Sequence, residues 1–481
     1  MYRPQTSAAP GTIGPILVLD DLRGGEMHLS ALFIGSAATA PDPVKVGRLR
    51  VPASLLLSCG DRALWRARFR APADATSAYV WRGERFDLKG GLDGDMRIAF
   101  VSCNGEETGD LDRAGEERNV MWARLARQHE ATPFALLFHG GDQIYADEAT
   151  QGHPLSEDWP ADIPSDPSRA DLAGLRRHLR RAFFARYEAV YSTPAMARLC
   201  ARVPSLMQWD DHDICDGWGS LSRSATYSPV GQAIFDVARE MALGFQHAAR
   251  DGDLPGRFVD PEGLHLGWRI GMPGLRLLAP DLRSERTRRR IMGDGGWSMM
   301  ETALGARFDG RTLLMSSVPL LGPRLSLLEG VMRLHPKMLR YEDDLRDQWQ
   351  SRAHRDEWRR MLALLRDMAA AGGTGITSLS GEIHLAARAT MALGGGRDLH
   401  QLTASGISHR APPRGWAWFL GALSRLGDAP LPGHPIRMRR LSGQRGLFVA
   451  ERNFLVLSRR GDAWTARWEL EMSGSTEPLE I

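Results

Sequence analysis

Short runs of alternating apolar and polar residues occupy the chain up to about Gly91: GPILVLDD, EMHLSALFI, VGRLRV, ALWRARFRA and AYVWRGERFDL, separated by Gly, Pro and Asp. A period of two with turn residues between the runs is the mark of strands, so this stretch is expected to be all-β. After GGLDGD the rhythm changes. Strand-like runs then alternate with longer stretches of helical periodicity, expected over 116–129, 170–190, 230–249 and 343–370. That alternation builds α/β folds. Further strands are expected over 96–102, 275–279 and 313–317, and GLFVA, NFLVLSRR and AWTARWELEM read as a closing meander. The Pro-, Asp- and Ser-rich stretch 152–168 reads as a surface loop. The pattern divides the 481 residues into an all-β domain, 1–92, with a packing or substrate-edge role, and an α/β domain, 93–481.

The residues at which the apolar runs stop carry the chemistry. IAFVS ends at Cys103-Asn104, FALLF at HGGDQIYADE, SLMQW at Asp210-Asp211-His212-Asp213, and GITSLS at Gly381-Glu382-Ile383-His384. Strands that release carboxylates, imidazoles and a thiol from one end of a sheet can assemble a cation site from distant parts of a chain. In HGGDQIYADE two glycines let the backbone turn sharply and put Asp142 at the sheet's lip, where its two oxygens can bridge two ions. Tyr145 and Asp147 follow at once. In WDDHDICDGWGS three carboxylates surround one histidine and repel unless a positive charge lies among them. This favours Asp211 as a ligand and leaves His212 to protonate a departing oxygen.

The other stations are less specific. Extended geometry would put Glu382 and His384 on one face of a strand. Cys103 is either a small buried apolar residue or a thiolate suited to iron or zinc rather than calcium or magnesium. LLAPDLRSERTR ends a further strand at Asp281 and Arg283, an arginine able to fork onto phosphate oxygens. In DDLRDQWQSRAHRDEW, Asp347, Trp349 and His354 are explained equally well by a site and by helix packing.

Composition narrows the setting. An apolar fraction of 43% and a charged fraction of 25% are those of a globular protein. Lys+Arg of 61 against Asp+Glu of 58 leaves a formal +3, and nearly all the cations are arginine, with Lys45, Lys89 and Lys337 the exceptions. There is no basic tail or polybasic patch, so neither nucleic acid nor a membrane is expected as a partner. Cys59, Cys103, Cys200 and Cys215 lack CxxC spacing, which suits a reducing compartment. The N-terminal stretch carries no signal-like pattern and no run is long enough to span a bilayer, so the expected location is cytoplasmic.

The order of these stations resembles that of the PhoD-like metallophosphatases, the alkaline phosphatase D group of the calcineurin-like metallophosphoesterase superfamily. The matching pieces are SCNG, GGDQIYAD, WDDHDICDGWGS, the PDLR strand end, DDLRDQW and SGEIH, spanning Arg97 to His384. The resemblance implies a four-layer α/β/β/α sandwich preceded by a small β domain. It also implies hydrolysis of small phosphate mono- or diesters at a metal centre, with Fe3+ and Ca2+ the pair described and Zn2+ or Mn2+ the alternatives. Carried over by motif, Cys103, Asp142, Tyr145, Asp211, Glu382 and His384 are metal-ligand candidates. His212 is the candidate general acid, and Asn104 and Arg283 are candidate substrate contacts. Two departures stand out. The twin-arginine signal of exported members is absent, which argues against a role outside the cell, and the continuation Ile-Cys-Asp-Gly-Trp-Gly after DDHD resembles the intracellular branch of the family. SGEIH carries Glu382 where the family has aspartate, lengthening the side chain by about 1.5 Å. Those departures motivate a rival reading, a metal- and phosphate- or nucleotide-binding sensor without turnover. An iron–thiolate redox enzyme would use Cys103 but leave the acids around His212 without a purpose.

Overall fold

Two large sheets organise an α/β fold in the computed structural model, which describes residues 11–323, 347–372 and 375–481. In the first sheet, strands Met96–Val101, Leu136–His139 and Ser205–Met207 run parallel, with Leu137 opposite both Ala99 and Ser205. In the second, Leu275–Ala279, Arg311–Met315, Gly375–Ser380 and Arg397–Thr403 run parallel as well. Parallel strands send their carboxyl ends to one edge of a sheet, where α/β proteins place ligands. The stations at Cys103, Asp142, Asp211, Arg283 and His384 each follow one of these ends.

Strand alternation builds two apolar cores. Leu277 and Leu313 share one cluster with Phe100 and Leu206 of the first sheet. Their neighbours Leu278 and Leu314 face the other way, into a cluster with Trp297, Trp358, Leu362 and Leu365 from helices Asp294–Gly305 and Arg355–Ala370. Helices Val120–Ala131, Arg169–Tyr191 and Pro229–His247 bury Trp122, Leu179, Phe183 and Phe245 against the first sheet's core. The last two begin at Ser168 and Ser228, whose hydroxyls accept from the backbone N–H of Asp171 and Gly231.

The structure refines the expected elements. The helix expected over 116–129 is broken at Asn119 into Gly115–Arg118 and Val120–Ala131. That expected over 343–370 is helical from Arg355, and 343–346 lie outside the described residues. The N-terminal runs are strands, as their alternation predicts, but Ile13–Arg23 pairs in parallel with Ser205–Met207 through Val18 and Ser205. With Glu26–Ser36, Arg62–Pro72 and Ser54–Cys59 it continues the first sheet, which crosses residue 92 without a break. A separate sheet holds Val44–Val46, Leu49–Val51, Ser77–Trp81 and Glu84–Leu88.

Candidate metal centre

The carboxyl ends of the two sheets are stitched together. Cys103 N–H donates to Gly141 O at 3.2 Å, Asn104 N–H to Asp142 O at 2.9 Å, and Gly381 N–H to Ser317 O at 3.1 Å. Ser102 Oγ donates across to Ala404 O, 3.0 Å away. Among the described non-glycine residues, Cys103, Asp142, Glu382 and His384 have φ of 54°, 53°, 65° and 52°; only Arg82 and Ala248 share this left-handed conformation. Such backbone is costly for residues with a Cβ and collects where function imposes it. Gly141, with φ of 118°, is needed for closeness too, because a Cβ there would lie 2.7 Å from Asp210 Cβ.

These turns bring the distant stations into one pocket. Cys103 Sγ lies 3.3 Å from Asp142 Oδ2 and 3.1 Å from Ser405 Oγ. Cys103, Asp142 and His384 each offer a ligand atom, all within 4.8 Å of one another, and so do Asp142, Asp210 and Asp211. Asp142 belongs to both groups. Tyr145 Oη is 3.0 Å from His384 Nε2, and its ring stacks on His212 with centroids 4.3 Å apart.

The cluster crowds acidic groups into a buried site. Burial, with Asp210 beside it, holds the Asp142 carboxyl well above the usual range. Burial pushes Asp210 up to about 6 despite Arg283. Burial and Asp142 push the Cys103 thiol up. Asp142 Oδ1 and Asp210 Oδ2 are buried with no hydrogen-bond partner among the described residues. Native proteins rarely leave such atoms orphaned, and two of them in a carboxylate cluster fit a pair of bound cations. The donors differ in kind. Cys103, Asp142 and His384, with Tyr145 alongside, form a mixed S/N/O set for a borderline metal; Asp142, Asp210 and Asp211 form an all-oxygen set for a hard one.

His212 sits at the rim of the cluster. Its Nδ1 is 3.0 Å from Asp147 Oδ2, whose other oxygen accepts the N–H of Asp216 at 2.6 Å. Burial works against protonation of this ring, but Asp147 and Asp211 outweigh it and hold the imidazole well above its usual range. Asp213 is a brace: its carboxylate accepts the N–H of Asp210 at 2.9 Å and of Ile144 at 3.1 Å, tying two loops together.

Three other candidates are engaged in ways the sequence did not suggest. Arg283 is fully buried and committed to protein acids: Asp210, Asp211 at 3.3 Å and Asp347 at 2.5 Å. Its guanidinium is taken up in neutralising these carboxylates. Asn104 Oδ1 accepts from Trp122 Nε1 at 2.7 Å and Ser408 Oγ at 2.9 Å, and its Nδ2 donates to Gln143 O. Glu382 and His384 are not in extended backbone, so they do not share a face as expected. Gln348 Nε2 donates to both oxygens of Glu382 at 2.6 Å, while His384 turns to Tyr145. Residues that sequence reasoning passed over include Asp210 as a candidate ligand, and Glu107 and His409. His409 stacks on His384 with centroids 3.4 Å apart, and its Nε2 lies 3.2 Å from Glu107. The doubled aspartate of WDDHD was a signal for Asp210; nothing local announced Glu107 or His409.

Comparison with known proteins agrees with this architecture. The profile of the PhoD related phosphatase family matches residues 100–340, half of the chain. A Saccharomyces cerevisiae protein described as uncharacterized, YGR266W, is 25% identical over 356 residues, 61% of this chain and 50% of its own length. The chain thus spans about half the length of that curated relative. A solved structure of PhoD superposes with a TM-score of 0.61 at 14% identity, covering 100% of this chain and 90% of that one, a likeness of fold.

Proposed function

Because the chain belongs to the family of PhoD related phosphatases, we propose that it is a metal-dependent phosphoesterase acting on small phosphate mono- or diesters. The observation that carries this reading is Asp142: it is common to two ligand clusters and has a buried oxygen with no partner. In this reading the two sheets and their helices form the four-layer α/β/β/α sandwich, and Cys103, Asp142, Tyr145 and His384 hold one ion. Asp142, Asp210 and Asp211 hold the other. The donor sets favour iron, or zinc, in the first place and calcium or manganese in the second. Bound there, two cations would supply a hydroxide nucleophile and charge neutralisation on the phosphoryl oxygens.

The chain's own residues do the rest. Asp147 holds His212 protonated, and His212 passes its proton to the departing alkoxide from Nε2. Arg283 keeps Asp210 and Asp211 ionised and fixed for ligation. Tyr145, stacked on His212 and within hydrogen-bond reach of His384 Nε2, orients both. No helix among the described residues is long and apolar enough to cross a membrane, and all four cysteines are free, in keeping with the cytoplasmic setting we propose.

The test combines elemental analysis with turnover of bis-p-nitrophenyl and p-nitrophenyl phosphate, before and after chelation. Two ions per chain and chelator-sensitive hydrolysis are expected. Ions bound without hydrolysis of either ester would favour the sensor reading, and no bound ions would remove both.

A further inference from the structure

Helix Arg414–Leu423 is apolar on both sides. Its inner side is accounted for: Ala417 and Leu420 bury against Leu385, Ala387 and Phe448, with Ile383 packed at the edge. Its outer side is not. Gly415, Trp418, Phe419 and Ala422, at the spacing that keeps residues on one helical face, are exposed, 65% for Trp418 and 42% for Phe419. Trp416 stacks on Phe419 with centroids 5.5 Å apart, so the rings form one aromatic platform. Exposed Arg414 and Arg425 bracket it, and the stretch from Ala411 to Gly427 contains no acidic residue.

We infer that this face docks on an anionic phospholipid bilayer. Indole and phenyl rings settle at the headgroup level, and flanking arginines reach lipid phosphates while their stems stay in the apolar layer. Charge decides the occupant. A second copy of the same face would bring Arg414 and Arg425 against like charge, whereas an anionic surface complements both. The ten residues are far too few to span a bilayer, so the helix lies in the interface. This departs from the expectation of no membrane partner, which looked for a polybasic run rather than an aromatic face.

The position of the helix gives the docking a purpose. Ile383, between Glu382 and His384, packs into the same cluster as Ala417 and Leu420, and the helix follows closely after His409. Docking would therefore hold the rim of the metal centre one helix diameter, ~10 Å, from the headgroup layer. Resting on the phosphoesterase reading, the substrate class becomes a phosphate ester borne by a membrane lipid.

Cosedimentation of the full chain with vesicles tests the docking, using phosphatidylcholine alone and phosphatidylcholine mixed with phosphatidylglycerol. The chain should pellet with the mixed vesicles only, equally well in chelator, so the outcome is independent of the metal centre. The double variant Trp418→Glu/Phe419→Glu should lose roughly tenfold or more in vesicle affinity while its hydrolysis of bis-p-nitrophenyl phosphate stays at the parent's level. Arg414→Glu/Arg425→Glu should lose the preference for the anionic lipid. The inference falls if the parent stays in the supernatant with mixed vesicles, or if the aromatic variant pellets as well as the parent. A Trp418-dependent dimer without vesicles would assign the face to a second copy instead. Docking without any faster cleavage of a vesicle-borne phosphate ester than of a soluble one would remove the lipid substrate and leave the docking.

Discussion

Cys103 Sγ and Asp142 Oδ2 face each other across 3.3 Å at the ends of adjacent parallel strands, each residue in left-handed backbone. A thiol pushed up by burial and a neighbouring carboxyl has no electrostatic reason to ionise on its own. A shared cation would reverse that. Cys103→Ser keeps the size and removes the soft donor. We expect the serine variant to keep its circular dichroism and to lose roughly ten- to a hundredfold in affinity for iron or zinc, read by elemental analysis after dialysis. A full metal complement in this variant would show that the thiol is not a ligand.

Asp142→Asn should move stability and activity in opposite directions. Without metal, Asp142 and Asp210 oppose each other in a buried site, and the raised carboxyl of Asp142 reports the cost. Neutralising it should raise the melting temperature in chelator by a few degrees, equivalent to about 1–2 kcal/mol. The same change should remove the stabilisation that added metal gives and depress kcat/KM by roughly a thousandfold or more. An unchanged melting temperature in chelator would mean that the carboxylates are not in conflict.

Arg283→Gln separates two roles for one arginine. If the guanidinium holds Asp210, Asp211 and Asp347, its loss leaves buried charges uncompensated, at a cost of about 3–5 kcal/mol in urea melts. Bound metal should recover part of that loss by taking over two of the acids. A variant of parental stability with only a raised KM would return Arg283 to the substrate.

The contrast between Arg283 and Cys103 shows what the chain disclosed in advance. Cys103, Asp142, Asp211 and His384 were legible because each ends an apolar run, and parallel strands deliver such ends to one edge. Arg283 also ends a run, but burial decided its partner, and burial depends on the opposite sheet. The N-terminal strands were visible as alternation, while the pairing of Val18 with Ser205, remote in sequence, has no local trace. Glu382 and His384 were misjudged because their two-residue spacing implies a shared face only in extended backbone, and both have positive φ. His409 and Glu107 belong to segments without catalytic pattern and meet His384 only in three dimensions.

Asp147→Asn addresses the proton donor without touching a proposed ligand. Asp147 holds His212 Nδ1 at 3.0 Å and, with Asp211, keeps the ring protonated against the effect of burial. The asparagine variant should slow cleavage of an alkyl phosphate, whose leaving group needs the proton, by roughly a hundredfold. Cleavage of a p-nitrophenyl ester, whose leaving group departs unaided, should slow far less. Equal losses on both esters would mean that Asp147 supports the loop rather than the acid.

His139 makes the fold sensitive to acid, with a sign that can be derived. Its ring is fully buried, with Nδ1 2.7 Å from Gln143 Oε1 and Nε2 3.2 Å from Ser205 Oγ, and burial lowers it to about 4. Above an ordinary histidine value of 6.5 the ring is neutral folded or unfolded and stability is indifferent to it. Below that, the unfolded chain binds a proton that the folded ring refuses, so stability falls until about pH 4, by on the order of 3 kcal/mol in all. Asp210 and Asp213, raised by burial to about 6 and about 7, act in the opposite sense in metal-free protein, because their folded forms bind protons first. The comparison must therefore be with a variant. His139→Gln keeps side-chain hydrogen bonding to Gln143 and Ser205 within reach and cannot titrate. Urea midpoints of parent and variant, measured in chelator from pH 7.5 to 4, should diverge as the pH falls, the parent losing about one proton's worth of slope more. Parallel curves would show that His139 takes up its proton in the folded state.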